Sequence, residues 1–84
     1  MAESLKCRIV STQGTVFEGE VQSVRAPAHD GDVCILKDHI AFVTPLRKGT
    51  VMLDVSGEAK NFTLDGCGLE VMNNQVTLIS QGPR

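Results

Sequence analysis

Residues 17–27, Phe17-Glu18-Gly19-Glu20-Val21-Gln22-Ser23-Val24-Arg25-Ala26-Pro27, decide the fold class. Odd positions are apolar or small through Phe17, Gly19 and Val21, and then the apolar positions become even, at Val24 and Ala26. A period of two is the mark of a strand with one buried face. The change of parity requires one residue to slip near Gln22-Ser23, which predicts a bulge or a sharp bend. A strand that bends in this way passes from one sheet to another at a corner. The expectation is therefore an all-β domain, a β-sandwich or flattened barrel.

The rest of the chain alternates in the same manner. Leu5, Cys7 and Ile9 oppose Lys6 and Arg8, and Val51, Leu53 and Val55 oppose Met52 and Asp54. Phe62 and Leu64 are followed by Leu69 and Val71 against Glu70, and by Val76 and Leu78 against Gln75 and Thr77. Turn signals separate these runs at Gln13-Gly14, Asp30-Gly31, Lys37-Asp38, Lys48-Gly49, Ser56-Gly57, Asp65-Gly66 and Asn73-Asn74. Val33 to Leu36 is apolar throughout, as a strand covered on both faces would be. These signals predict seven or more short strands joined by hairpin turns in one domain over residues 1–84. The last strand is expected to end near Ser80, with Gln81 to Arg84 a frayed tail. Phe17, Val21, Ile35, Leu53, Phe62, Leu69 and Val76 are the expected core.

Composition agrees. Val, Ile and Thr supply 20 of the 84 residues against 5 Ala and 7 Leu, a mixture that suits pleated strands. At 9.0 kDa there is room for one core only. The net charge of −2 leaves no basic surplus for a phosphate backbone, and Trp and Tyr are absent, so nucleic acid is not an expected partner. No apolar run approaches the roughly 20 residues of a membrane span, and the start does not read as a signal or transit peptide. A cytosolic chain, monomeric when isolated, is the expectation. Cys7, Cys34 and Cys67 form no C-x-x-C and are odd in number, which predicts three buried, reduced thiols.

Chemistry-bearing patterns are few. His29-Asp30-Gly31-Asp32 with His39 has metal-ligand residue types but matches no ligand spacing, so a solvated or interface loop is the stronger reading. Gly66-Cys67-Gly68 is a weak glycine pair with no helix after it and gives no phosphate cradle. Lys37, read with Asp38 as the tip of a hairpin, admits an alternative as a lipoyl- or biotinyl-carrier lysine, although the flanks Leu36 and His39 do not match such carriers. No catalytic residue, no cofactor and no metal is expected. Ile40 to Leu46 is the least polar stretch, and Pro45, which cannot donate to a central ladder, confines it to a sheet edge or a bulge. An exposed apolar edge calls for a cover, and a partner protein is one.

The stretch 17–27, followed by Asp30-Gly31-Asp32, Ile35-Leu36, His39, Leu46 and Gly49, resembles the N-terminal domain of the epsilon subunit of F-type ATP synthase, called delta in mitochondria. Ile9-Val10-Ser11 is similar to that family's first strand, and Gly66, Leu69-Glu70-Val71 and Asn74-Gln75-Val76-Thr77-Leu78 to its closing hairpin. The sequence departs at Lys37-Asp38-His39-Ile40-Ala41, where the family usually has Pro-Gly-His-Ala-Pro, and at Gly66-Cys67, where it usually has two glycines. The resemblance implies a β-sandwich of about ten short, mostly antiparallel strands, and a non-catalytic rotor subunit of the central stalk that couples proton or sodium flow to ATP synthesis. Its partners would be the gamma subunit and the ring of c subunits, on the cytoplasmic face of the bacterial inner membrane and peripheral to it. By the same resemblance, His29, Asp30, Gly31 and Asp32 would face the c ring. Ser11, His39, Ile40, Ala41, Phe42, Val43 and Thr44 would face gamma. Family members commonly continue into a two-helix hairpin that can block rotation; this sequence does not contain one, which implies a short form without that inhibitory element.

Overall fold

A computed structural model describes residues 4–38 and 41–83, excepting the side chains at positions 66, 67 and 81–83. Eight strands are present: β1 (Leu5–Ser11), β2 (Gly14–Val21), β3 (Ser23–Ala28), β4 (Gly31–Ile35), β5 (Phe42–Pro45), β6 (Gly49–Val55), β7 (Glu58–Met72) and β8 (Gln75–Pro83). No helix occurs among the described residues. The strands pair in the order β2-β1-β8-β7-β6-β3-β4, with β5 added to β7. This path folds into two layers. The first half of β7 pairs with β6, and its second half with β8 and β5. One long strand therefore belongs to both layers.

The predicted corner is real. β2 ends at Val21, β3 begins at Ser23, and between them Gln22 donates its amide to the Asp54 carbonyl at 2.7 Å. β2 pairs with β1 in the first layer, whereas β3 pairs with β4 and β6 in the second. The slip in parity lets Val21 and Val24 both point inward, and both are buried. Leu5, Cys7, Ile9, Leu69, Val71, Val76 and Leu78 meet Val24, Ala26, Ile35, Val51, Leu53 and Leu64 in one core. Each fully buried Val, Leu or Ile stabilises the sandwich by about 1.5–3 kcal/mol before chain entropy is charged against it. The two outermost strands in sequence, β1 and β8, pair in parallel, while every other ladder is antiparallel.

Several expectations are corrected. Asp65-Gly66 is not a turn: β7 runs through it for 15 residues, with register shifts between Leu64 and Gly66 and between Gly66 and Gly68. Those irregularities carry Leu64 and Leu69, of opposite parity, to the same buried side. Two expected strands are thus one, which helps bring the total to eight rather than about ten. β8 continues to Pro83, where it pairs with Leu64, so Gln81 to Pro83 are strand and not a frayed tail; Arg84 lies outside the described residues. Val33 to Leu36 is covered on one face only. Ile35 is buried, but Cys34 and Leu36 are exposed, because no described element packs on the outer side of β4. The expectation of a buried Cys34 fails for the same reason; Cys7 is buried, both thiols are free, and the Cys67 side chain lies outside the described residues. Phe17 and Phe62 are half-buried rather than fully buried, with their rings 5.6 Å apart and tilted by 57° across the rim of the core.

Candidate functional site

His29 and Asp30 form the turn between β3 and β4, flanked by the pair Ala28 and Gly31. Gly31 has φ 130°, a region that L side chains rarely adopt, which explains glycine at the close of this turn. His29, Asp30 and Asp32 are all exposed. The tip does not stand free. The His29 amide donates to the Pro45 carbonyl at 3.0 Å, and the Arg47 amide donates to the Pro27 carbonyl at 2.8 Å. Ala28 and Leu46 form an antiparallel bridge between these two bonds. The Arg47 side chain donates through Nε to the Ala28 carbonyl at 2.8 Å and meets Asp32 Oδ1 through Nη2 at 3.5 Å. The acidic tip is therefore fastened to the end of β5.

β5 is an edge strand whose one ladder among the described residues is with β7, a place that suits Pro45. Phe42 and Thr44 lie opposite the buried Val71 and Leu69 and are half-buried, while Val43 points outward with 74% of its surface exposed. The outward row continues from Val43 through Glu70, Thr77 and Arg8 to Glu18. The next row runs from Pro45 through Gly68, Ile79 and Val10 to Thr15. With Met72 and Ile79 about half exposed, the β5 side of this layer has an apolar outer face and the β2 side a charged one. Ser11 ends β1 three strands away from β5, a span of about 14 Å. It shares the layer with Ala41 to Thr44 but does not touch them. His39 and Ile40 lie outside the described residues.

The face extends beyond the residues singled out from the sequence. Met72, Ile79 and Val10 belong to it, and one signal could have found them. Ile79 sits at the outward parity of β8, which Gln75 and Thr77 otherwise fill with polar residues. The carrier reading of Lys37 loses its geometric basis. β4 and β5 do not pair, so Lys37 is not at a hairpin tip; it is half-buried in a turn whose next residue, Asp38, is held by Asn74. An open depression of ≈ 310 Å³ lies over the charged side of the first layer, between Lys6 and Arg8 of β1 and Glu18 and Glu20 of β2. Among the described residues there is no group of three His, Cys, Asp or Glu that shares a metal-sized site, and no helix long and apolar enough to cross a membrane.

These features define a small two-layer β-sandwich that offers contact surfaces: a half-apolar sheet face and an acidic loop fastened to its edge. A family model described as ATP synthase, Delta/Epsilon chain, beta-sandwich domain matches residues 4–82. The chain belongs to this family. It is 35% identical over 79 residues to the ATP synthase epsilon chain of Bacillus velezensis, covering 94% of this chain and 60% of that one. It is 37% identical over 82 residues to ATP synthase epsilon chain 1 of Methylococcus capsulatus, covering 96% and 59%. The chain thus spans about three-fifths of the length of these relatives. Among solved structures, a chain of the Euglena gracilis mitochondrial ATP synthase, in its OSCP/F1/c-ring assembly, superposes with TM-score 0.89 at 12% identity, over 100% of this chain and 54% of that one. A chain from the central stalk and c-ring of the Tetrahymena thermophila mitochondrial ATP synthase gives 0.78 at 13% identity, over 92% and 63%. At such identities these two likenesses concern the fold.

Proposed function

We propose that this chain is a non-catalytic subunit of the central stalk of an F-type ATP synthase, binding the gamma subunit and the c ring and so helping to couple ion flow to ATP synthesis. Membership of the epsilon family supports this reading, as do the names of the bacterial relatives. The observation that carries it is the outer face of the first layer. Val43, Met72 and Ile79 are exposed together on this face, while the other exposed large apolar residues, Leu36 and Met52, belong to the second layer. Apolar surface gathered on one face is what a protein partner covers. Gamma would cover this face from Ser11 across to the stretch 39–44, and His29 to Asp32 would meet the polar loops of the ring. The complex would place the chain on the cytoplasmic face of a bacterial inner membrane, peripheral to the bilayer.

Co-purification with gamma tests the proposal. The chain should form a stable complex with gamma, and Val43→Glu should abolish it while leaving the unfolding midpoint within the range of surface substitutions, about 0.5 kcal/mol. Failure of the unaltered chain to bind gamma, or full retention of gamma by Val43→Glu, counts against it.

A further inference from the structure

We infer that Arg47 is a positioning residue: it holds the acidic tip of the β3–β4 hairpin in fixed register with β5, so that the loop and the sheet edge move as one body. The inference about docking rests on the reading above, in which the tip meets the ring and β5 meets gamma. The geometry of Arg47 stands apart from that reading. Two backbone hydrogen bonds join the two segments, His29 to Pro45 and Arg47 to Pro27, and together they make the Ala28–Leu46 bridge. They are of the kind that frays when it ends in a solvated turn.

Arg47 adds the link that reaches round the turn. Its Nε donates to the carbonyl of Ala28, a residue only 4% exposed, on the near side of the turn. Its Nη2 meets the carboxylate of Asp32 on the far side. Both arms of the hairpin are thereby gripped by one planar guanidinium, whose donors point in fixed directions. A lysine at this position has one compact ammonium on a flexible stem and does not reproduce that fork.

The ion pair alone contributes little. Both side chains are more than half exposed, at 52% and 66%, and an exposed pair of this length is screened by solvent. The device is the combination of a neutral bond to the backbone on one arm and a charge contact on the other. It has an electrostatic consequence for the tip. Asp32 faces Arg47, whereas Asp30 has no ion-pair partner among the described residues. Asp30 is therefore the carboxylate of the tip that faces outward with no cation paired to it among those residues.

Hydrogen exchange on the full chain, compared among the unaltered protein, R47K and R47A, tests the positioning role. R47A should raise exchange at the His29 amide and at residues 30–32 by about tenfold, with β1 and β8 unchanged and R47K intermediate. Unchanged exchange at the tip, or an equal rise in every strand, overturns the inference, since the latter reports only lost stability. In the assembled complex, R47A should keep gamma and weaken retention on the c ring. Ring retention equal to that of the unaltered chain overturns the docking half. If the unaltered chain binds neither gamma nor the ring, the proposed function fails, while the exchange comparison still judges Arg47.

Discussion

Asp38 and Asn74, 36 residues apart in sequence, hold each other in both directions. The Asp38 amide donates to Asn74 Oδ1 at 2.6 Å, and Asn74 Nδ2 donates to Asp38 Oδ1 at 3.2 Å. Both residues have positive φ, 66° and 61°, a conformation that Asn and Asp tolerate better than most. The Asn74 carbonyl also accepts the Lys6 amide at 2.9 Å, so one turn residue ties the β7–β8 hairpin to β1 and to the connection after β4. Asn74→Gly keeps the backbone conformation and loses the side-chain pair. It should lower stability by about 1–2 kcal/mol. Asn74→Ala adds the strain of a left-handed alanine and should cost more, about 2–3 kcal/mol. Urea unfolding midpoints check both; equal values for the two variants would show that the backbone conformation contributes nothing.

Cys7 should make stability depend on pH in the alkaline range. Burial pushes its thiol up from 9.0 to about 12, since the thiolate would lose its hydration inside the core. Above pH 9 the unfolded chain releases this proton and the folded chain keeps it. The folded state then binds more protons than the unfolded one, so stability falls as pH rises from 9 towards 12. The contribution is complete below pH 9. Cys7→Ala should cost about 1–2 kcal/mol at neutral pH and should show a shallower loss of stability between pH 9 and pH 11. Thiol titration of the native chain should label the exposed Cys34 and leave Cys7 unlabelled. Parallel stability curves for the variant and the parent over that range would show that Cys7 does not carry the pH dependence.

Phe17 and Phe62 close the core where the two layers meet at the rim, Phe17 on β2 and Phe62 on the first half of β7. Because both rings are half-buried, Phe62→Ala should cost about 1.5–3 kcal/mol, less than a fully buried phenylalanine. A double-mutant cycle with Phe17→Ala should give a coupling of about 0.5–1.5 kcal/mol for the tilted ring pair. Simple additivity of the two losses would mean that each ring packs on the aliphatic core alone.

The corner between β2 and β3 was legible because a parity change has one simple structural solution. The same logic applied to β7 gave a turn, since Asp-Gly serves hairpins and bulges alike and local sequence does not separate them. Leu64 and Leu69 carried the missing information: both are apolar, and only a strand with irregular register brings both inward. The run Val33 to Leu36 misled in a different way. Its apolarity is that of a strand covered on both faces, yet only Val33 and Ile35 turn to the core, and coverage of the outer face depends on what lies beyond the domain. For the candidate site, period two showed which residues face outward but not which ones share a face. Val10, Val43 and Ile79 came together only through the parallel pairing of β1 with β8 and the addition of β5 to β7. The grip of Arg47 on Ala28 and Asp32 had no signal in the sequence, because it links side chain to backbone across 19 residues.

The two aspartates of the β3–β4 tip should respond differently to charge reversal. Asp32 faces Arg47 at 3.5 Å, and replacing it by lysine sets two cations against each other at the exposed tip. Asp30 lies at the turn itself, exposed and, among the described residues, without an ion-pair partner. Neither change should cost much stability: about 0.5 kcal/mol or less for Asp30→Lys, and up to about 1 kcal/mol for Asp32→Lys, given the exposure of the pair. Their effects on assembly should have the opposite ranking if the ring presents cationic loops. Asp30→Lys removes the unpartnered charge and should slow attachment to the c ring most at low salt, the difference shrinking as ionic strength rises and the Debye length falls below about 8 Å. Asp32→Lys should weaken attachment partly through disorder of the tip, and that part should persist in salt. Attachment kinetics of the head to ring-containing membranes, measured from low to high salt, separate the two. Salt-independent attachment that is identical for both variants and the parent would remove the acidic tip from the docking surface.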